Sequence, residues 1–314
     1  MIAAAAVQRP RALRGGSRFS VIAPASPGKS DRILAGTKEL ERLGFSVVPQ
    51  RTLQSQGYFA SDARERTREL LEALNDPGVD ALIATRGGYG SVYLLDEGLP
   101  ESLPSIKPLI GFSDLTTLQI YLWQKHRWTG FYAPMLAAGI DHGPGVANGY
   151  DELSFRQALT KSSGSWALPL QAEILRAGVA EGIILGGAMT LLEATLGTPW
   201  ELNTDGAILI LEDRAMKPYQ IDRVLMHLKH SGKLAKVRGI VLGDFPDCEP
   251  PVPGSPSARD VCSRILSPLG IPIVYGVPFG HTARPMLTIP LGVRARLAAE
   301  NSGTLEILEP AVSE

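Results

Sequence analysis

The sequence predicts an α/β chain in two parts: a parallel sheet with helices on both faces, followed by a mixed β/α unit whose antiparallel strands come late. Three features predict this. Short apolar runs alternate with helical-period segments through the first half, the pattern of strand–helix crossovers. Glycine-containing or polar loops follow those strands, as expected where a parallel sheet places its sites at the carboxyl ends of its strands. Beyond Thr282 the strand-like segments Met286–Ile289, Val293–Leu297 and Thr304–Leu308 follow one another without a helix between them.

Taken in order, Phe19–Ala23 reads as a buried strand and Pro24–Gly28 as the loop after it. Ser30 is placed to cap a helix with Ile33, Leu34, Leu40 and Leu43 at helical spacing, stopped by Gly44. Phe45–Val48 is a second strand, and Asp62 with Glu65 forms a capping-box pattern before Leu70, Leu71 and Leu74. Val79–Thr85 is a strand that runs into Arg86-Gly87-Gly88-Tyr89-Gly90, and Leu109-Ile110 ends another at Gly111. Trp128–Phe131 is a further strand, and Leu153–Leu159 is a helix that closes the first half. In the second half, Gly182–Leu185, Ala207–Leu211, Gly239–Gly243 and Ile273–Tyr275 read as strands, with Gly186-Gly187 as a turn. Met189–Leu196, Tyr219–His230 and Ala258–Leu266 read as helices.

The chain has 314 residues, comfortable for two domains. Residues 1–16 are expected to be a disordered tail, 17–160 a first domain, 161–179 a linker with a strand at Trp166–Leu170, and 180–314 a second domain. Hydrophobic content of 44% with 20% charged residues marks an ordinary globular protein. A net charge of −1 gives no electrostatic reason for a nucleic-acid or anionic-membrane partner. No apolar run approaches the roughly 18 residues of a membrane span, and Met1–Val7 lacks the preceding basic residue of a signal peptide. Cys248 and Cys262 form no C-x-x-C pair and are read as free thiols.

The chemistry-bearing residues sit where strands end. Ser113 follows Gly111-Phe112 and opens a helical pattern, so its hydroxyl is either an N-cap or a nucleophile lifted on a sharp strand-to-helix turn. The G-x-S-x-G match is partial, because Leu115 holds the fifth position. His281 lies in a Gly-His-Thr loop just past a strand, held yet reachable, as a general base must be, although a structural role fits it equally. His126 and His142 fall in polar stretches, and His227 and His230 lack the spacing of a zinc helix. Glu212 ends an apolar strand and is either a cap or the orienting carboxylate of a triad. The Gly87-Gly88 loop lacks the Lys-Ser/Thr of a phosphate loop, and suits backbone donation from Gly88 and Asp114 to an oxyanion.

Six segments in sequence order carry a resemblance: Val21–Ser26, Thr85–Gly90, Gly111–Asp114, Leu185–Gly187, Leu211–Asp213 and Phe279–His281. Together the chain resembles the LD-carboxypeptidase (muramoyltetrapeptide carboxypeptidase) family, which includes relatives similar to the microcin-C immunity protein. The resemblance implies a flavodoxin-like N-terminal domain and a swivelling-type C-terminal β/α domain. It implies a triad of Ser113, His281 and Glu212 at their interface, no metal and no cofactor, and a cytoplasmic homodimer. The implied reaction releases terminal D-alanine from murein tetrapeptide, a small peptide substrate. Hydrolysis of a peptidyl-nucleotide, or binding of a murein fragment without turnover, are the alternatives. Arg86 and Arg284 are candidates for holding the free carboxylate of such a substrate. Two departures from the family pattern, Ala188 and the Tyr132-Ala133-Pro134-Met135 stretch, bear on substrate identity.

Overall fold

The computed structural model describes residues 6–48, 54–99, 103 and 105–314. Its first sheet is built from β1 (Arg18–Ile22), β2 (Ser46–Val48), β3 (Ala81–Ala84), β4 (Leu109–Gly111) and β5 (Gly130–Tyr132). The intervening helices are α1 (Ser30–Arg42), α2 (Ala63–Asn75), the single turn α3 (Tyr93–Asp96) and α4 (Thr116–His126), and α5 (Glu152–Thr160) follows β5. The five strands pair in parallel in the order β2-β1-β3-β4-β5. That is the flavodoxin-like order, in which the direction of winding switches between β1 and β3.

Both faces of this sheet are covered, as period-two burial requires. From β3, Leu82 packs with Leu70 and Leu74 of α2 and Leu118 and Leu122 of α4. Its neighbours Ala81 and Ile83 point the other way, to Leu40 of α1 and Leu43 at its C-cap. The Asp62 carboxylate accepts the Glu65 N–H at 2.8 Å, so the second helix starts where its capping pattern predicts. Ser30, by contrast, is already inside α1. Lys29 is its N-cap, with no side-chain cap bond.

The second sheet comprises β6 (Trp166–Pro169), β7 (Glu173–Arg176), β8 (Gly178–Ala188), β9 (Ala207–Glu212), β10 (Gly239–Gly243) and β11 (Ile273–Val277), with two later strands. Between them lie α6 (Met189–Ala194), α7 (Pro218–His230) and α8 (Ala258–Leu266). After β11 come β12 (Ile289–Leu291), β13 (Arg294–Ala299) and β14 (Thr304–Ile307). Strands β8 to β11 run parallel at the centre, and β13, β14, β6 and β7 flank them antiparallel.

Three expectations need correction. Residues 161–179 are not a linker: β6 pairs with β14 and β7 with β11 at opposite edges of the second sheet. The alternation of buried Trp166 and Leu168 with exposed Ala167 and Pro169 is an ordinary edge-strand pattern. Residues 8–16 are not a disordered tail. Gln8 bridges Trp128, Arg11 bridges Ser313, and the buried Leu13 donates its N–H to Leu159 O at 2.9 Å. Met1–Ala5 of that segment lie outside the described residues. Gly186-Gly187 is not a turn but the end of the eleven-residue β8, where a glycine lets the backbone lie against Ile210.

One strand crosses between the two halves. β12 leaves the C-terminal part of the chain and pairs antiparallel with β5, completing a six-stranded first sheet. Among the described residues no helix is long and apolar enough to cross a membrane.

Candidate active site

The loops after β1, β3 and β4 meet at the carboxyl edge of the first sheet. The chain must turn sharply between Gly111, the last residue of β4, and the helical turn Ser113–Leu115, and Ser113 absorbs that turn at φ +62°. A non-glycine residue in the left-handed region costs about 1–3 kcal/mol, and a sharp strand-to-helix turn of this kind lifts the serine side chain at the sheet edge. Ser113 is not an N-cap, because Phe112 occupies that position. The Gly87 backbone presses on it so closely that an added Cβ would sit 3.0 Å from the Ser113 hydroxyl. Gly88 follows at φ +109°, and a Cβ there would strike the Ser26 hydroxyl.

Asp114 holds this loop from below. It is buried, accepts the Ser91 N–H at 2.7 Å on its carboxylate, and takes the Ser91 hydroxyl at 2.6 Å on its carbonyl. Burial pushes the Asp114 carboxyl above the usual carboxylate range, against the Ser91 bonds. The Gly88 and Asp114 N–H groups find no acceptor among the described residues, so both remain available as donors.

The second sheet supplies the acid and the imidazole. Glu212, the last residue of β9, is fully buried. Its Oε2 accepts both the His281 N–H at 2.9 Å and His281 Nδ1 at 2.8 Å. Its Oε1 accepts the hydroxyl of Tyr132, which ends β5 of the other sheet. Gly280, at φ +66°, makes the close approach possible: a Cβ there would lie 2.4 Å from the Glu212 carboxyl carbon. The Phe112 ring stands edge-on to the imidazole, with centroids 5.1 Å apart. Burial opposes the charged imidazole, but the Glu212 carboxylate, by its charge and its bond, outweighs it with help from Asp213. His281 is therefore raised above the ordinary imidazole value, with Arg214 opposing. With Nδ1 engaged, Nε2 is the nitrogen left for proton transfer.

Ser113, Gly88, Asp114 and His281 line one cleft of about 610 Å³. The cleft thus holds the Ser113 hydroxyl and the imidazole that Glu212 engages. Residues 20–133 match the family model of the LD-carboxypeptidase N-terminal domain, and residues 181–297 match that of its C-terminal domain. The chain is 34% identical to a probable murein peptide carboxypeptidase of Bacillus subtilis over 98% of its own length and 96% of that protein's. The chain belongs to the LD-carboxypeptidase family. It is also 30% identical to the microcin C7 self-immunity protein of Escherichia coli, with 90% of each chain covered. The crystal structure of a muramoyltetrapeptide carboxypeptidase from Oxalobacter formigenes superposes with a TM-score of 0.83 at 29% identity, covering 94% of this chain and 99% of that one.

The two arginine candidates of this LD-carboxypeptidase family member part company. Arg86 is exposed on the cleft wall and makes no ion pair or hydrogen bond among the described residues. Arg284 is held elsewhere: its guanidinium pairs with Asp244 and donates to Gly276 O. Of the two departures, Ala188 lines the cleft, as does Met135 at the end of the Tyr132-Ala133-Pro134-Met135 stretch.

Sequence reading missed several cleft residues. Arg32 and Arg214 line both this cleft and an adjoining lobe of about 380 Å³ that also contains His142. Arg32 pairs with Asp141 and bonds His142 Nε2 at 2.7 Å. Arg32 sits on a helix with nothing local to mark it. Tyr132 ends a strand, so the strand-end rule that found Ser113 and Glu212 could have found it. Among the described residues no group of three His, Cys, Asp or Glu side chains is arranged to hold a metal ion.

Proposed function

We propose that this protein is a serine carboxypeptidase that releases the terminal D-alanine of murein tetrapeptide by cutting an L,D-peptide bond. The observation that carries the reading is the Glu212–His281 pair, bonded at 2.8 Å, whose imidazole lines the same cleft as Ser113 at φ +62°. Glu212 orients His281 and stabilises its imidazolium. His281 Nε2 takes the Ser113 proton as the hydroxyl oxygen attacks the scissile carbonyl. The Gly88 and Asp114 N–H groups receive the oxyanion. As the tetrahedral intermediate collapses, His281 gives the proton to the D-alanine amine. Water, deprotonated by the same imidazole, then releases the tripeptide. Arg86 takes the free carboxylate of the departing residue.

The names of the similar proteins support the substrate class: murein peptide carboxypeptidase for one relative and muramoyltetrapeptide carboxypeptidase for one solved structure. The same reading makes the protein a cytoplasmic homodimer that processes recycled wall fragments, with no metal or cofactor. The microcin C7 self-immunity relative keeps a peptidyl-adenylate in view as a competing substrate.

The test is mass spectrometry of murein tetrapeptide, and of a peptidyl-adenylate in parallel, after incubation with the protein. Tripeptide plus free alanine is expected from the first, and Ser113→Ala should lower kcat by about 10⁴–10⁶-fold. A Ser113→Ala protein that turns over near the wild-type rate removes the serine-hydrolase reading. Faster cleavage of the adenylate reassigns the substrate. Tetrapeptide binding without any alanine release leaves a binder in place of an enzyme.

A further inference from the structure

Tyr132 is fully buried, and its hydroxyl stands between the two halves of the site. It donates to Glu212 Oε1 and accepts the N–H of Ser113 itself at 3.3 Å. Beside it, the hydroxyl oxygen of Thr116, the first residue of α4, accepts the Ala188 N–H of the second sheet at 3.2 Å. One phenol thus touches the peptide unit that carries the nucleophile and the free oxygen of the carboxylate that orients the base. Both oxygens of Glu212 are then satisfied, as a buried carboxylate requires.

We infer that Tyr132 is a positioning residue of the triad: its hydroxyl fixes the register between Ser113 and Glu212 and moderates the charge that Glu212 presents to His281. This rests on the serine-hydrolase reading above. The electrostatic part follows from where the donated proton lies. A donor on Oε1 draws negative charge away from Oε2, which holds His281 Nδ1. Removing that donor leaves a more basic carboxylate and a more stable imidazolium. The other charged groups acting on the imidazole are Asp213, which raises its pKa, and Arg214, which lowers it; neither bonds Tyr132. Burial and the Glu212 charge push the phenol well above its ordinary value, so it stays a donor throughout the working range.

The experiment is the pH profile of kcat/KM for tetrapeptide, with wild type, Tyr132→Phe and a protein carrying 3-fluorotyrosine at 132. His281 must be neutral to act as base, so activity rises through its pKa, and the acid limb reports it. Tyr132→Phe is expected to lower kcat about 10–100-fold, with KM changed less than about threefold, and to move the acid limb up by about half a unit. The fluorinated phenol keeps the packing and is a stronger donor, so its acid limb should move down. Opposite shifts in the two proteins are a signature that a packing role does not produce. An acid limb that stays put or moves down in Tyr132→Phe, whatever its kcat, overturns the inference. If that variant does not fold, a fluorotyrosine limb that stays put or moves up overturns it alone. Wild type that releases no alanine sinks the underlying reading as well, whereas an active wild type with unshifted variants sinks only this one.

Discussion

Arg86 stands on the cleft wall next to the glycine loop, and its charge is uncompensated by any ion pair among the described residues. An exopeptidase must recognise a free carboxylate, and a guanidinium can do so through two parallel hydrogen bonds. Arg86→Ala is therefore expected to raise KM for the free-acid tetrapeptide about 10–100-fold, the worth of a hydrogen bond to a charged group, and to leave KM for the C-terminally amidated peptide unchanged. Kinetics on the two peptides check this, and equal effects on both would discard the assignment. At this scale the sequence singled out candidates where a polar residue ends or follows an apolar run. Ser113 and His281 follow strands and Glu212 ends one, so sheet edges made them candidates, and only the six-segment resemblance chose the triad roles over cap or structural ones. Arg284 sits in the same kind of loop, yet its guanidinium is committed to Asp244. No local pattern tells a committed arginine from a free one, because the partner is 40 residues away.

The element that decides whether Glu212 and His281 meet is the loop Pro278–Thr282 after β11. It brings the His281 backbone N–H and ring nitrogen onto one carboxylate oxygen, which requires its backbone to pass against Glu212 at Gly280. In Gly280→Ala, a Cβ in the left-handed region would add about 1 kcal/mol of strain and would also overlap the carboxyl group. The expected result is a drop in kcat of about 10²-fold or more with a lowered melting temperature, read by steady-state kinetics and a thermal melt. Native kcat in this variant would show that the loop does not set the pair. Elements of this kind were legible when their burial is local: α8 spans the Ala258–Leu266 its periodicity predicts. They were illegible when the pairing partner is remote. β7, Glu-Ile-Leu-Arg, is short and half polar, and only β11, far along the chain, makes a strand of it. Gly186-Gly187 reads as a turn because glycine is the usual turn residue, whereas here it serves the close approach of β8 to β9.

At the scale of the whole molecule, the question is whether the two sheets form one folding unit or two. Separate domains joined by a thin polar seam would each unfold on its own. The packing argues otherwise. A single buried cluster includes Phe19, Ile83 and Ile110 of the first sheet together with Ile208, Val241 and Leu297 of the second. Helix α4 buries Leu118 and Leu122 under the first sheet and gives Ile120 and Trp123 to the core that contains Leu209 and Leu242 of the second. β12 returns from the C-terminal part of the chain to pair with β5, and the N-terminal segment bridges Trp128 through Gln8 and Ser313 through Arg11. Each fully buried Leu, Ile or Phe on this seam contributes about 1.5–3 kcal/mol, so opening the lobes would expose much of what holds either one. Unfolding is therefore expected to be one cooperative transition: urea curves by far-ultraviolet circular dichroism and by tryptophan fluorescence should coincide. Trp128 reports on the first half, Trp123 on the seam, and Trp166 and Trp200 on the second half. Two separated transitions would mean that the lobes part before they unfold. The proposed triad, whose members come from both lobes, would then be assembled by closure and not by the fold itself.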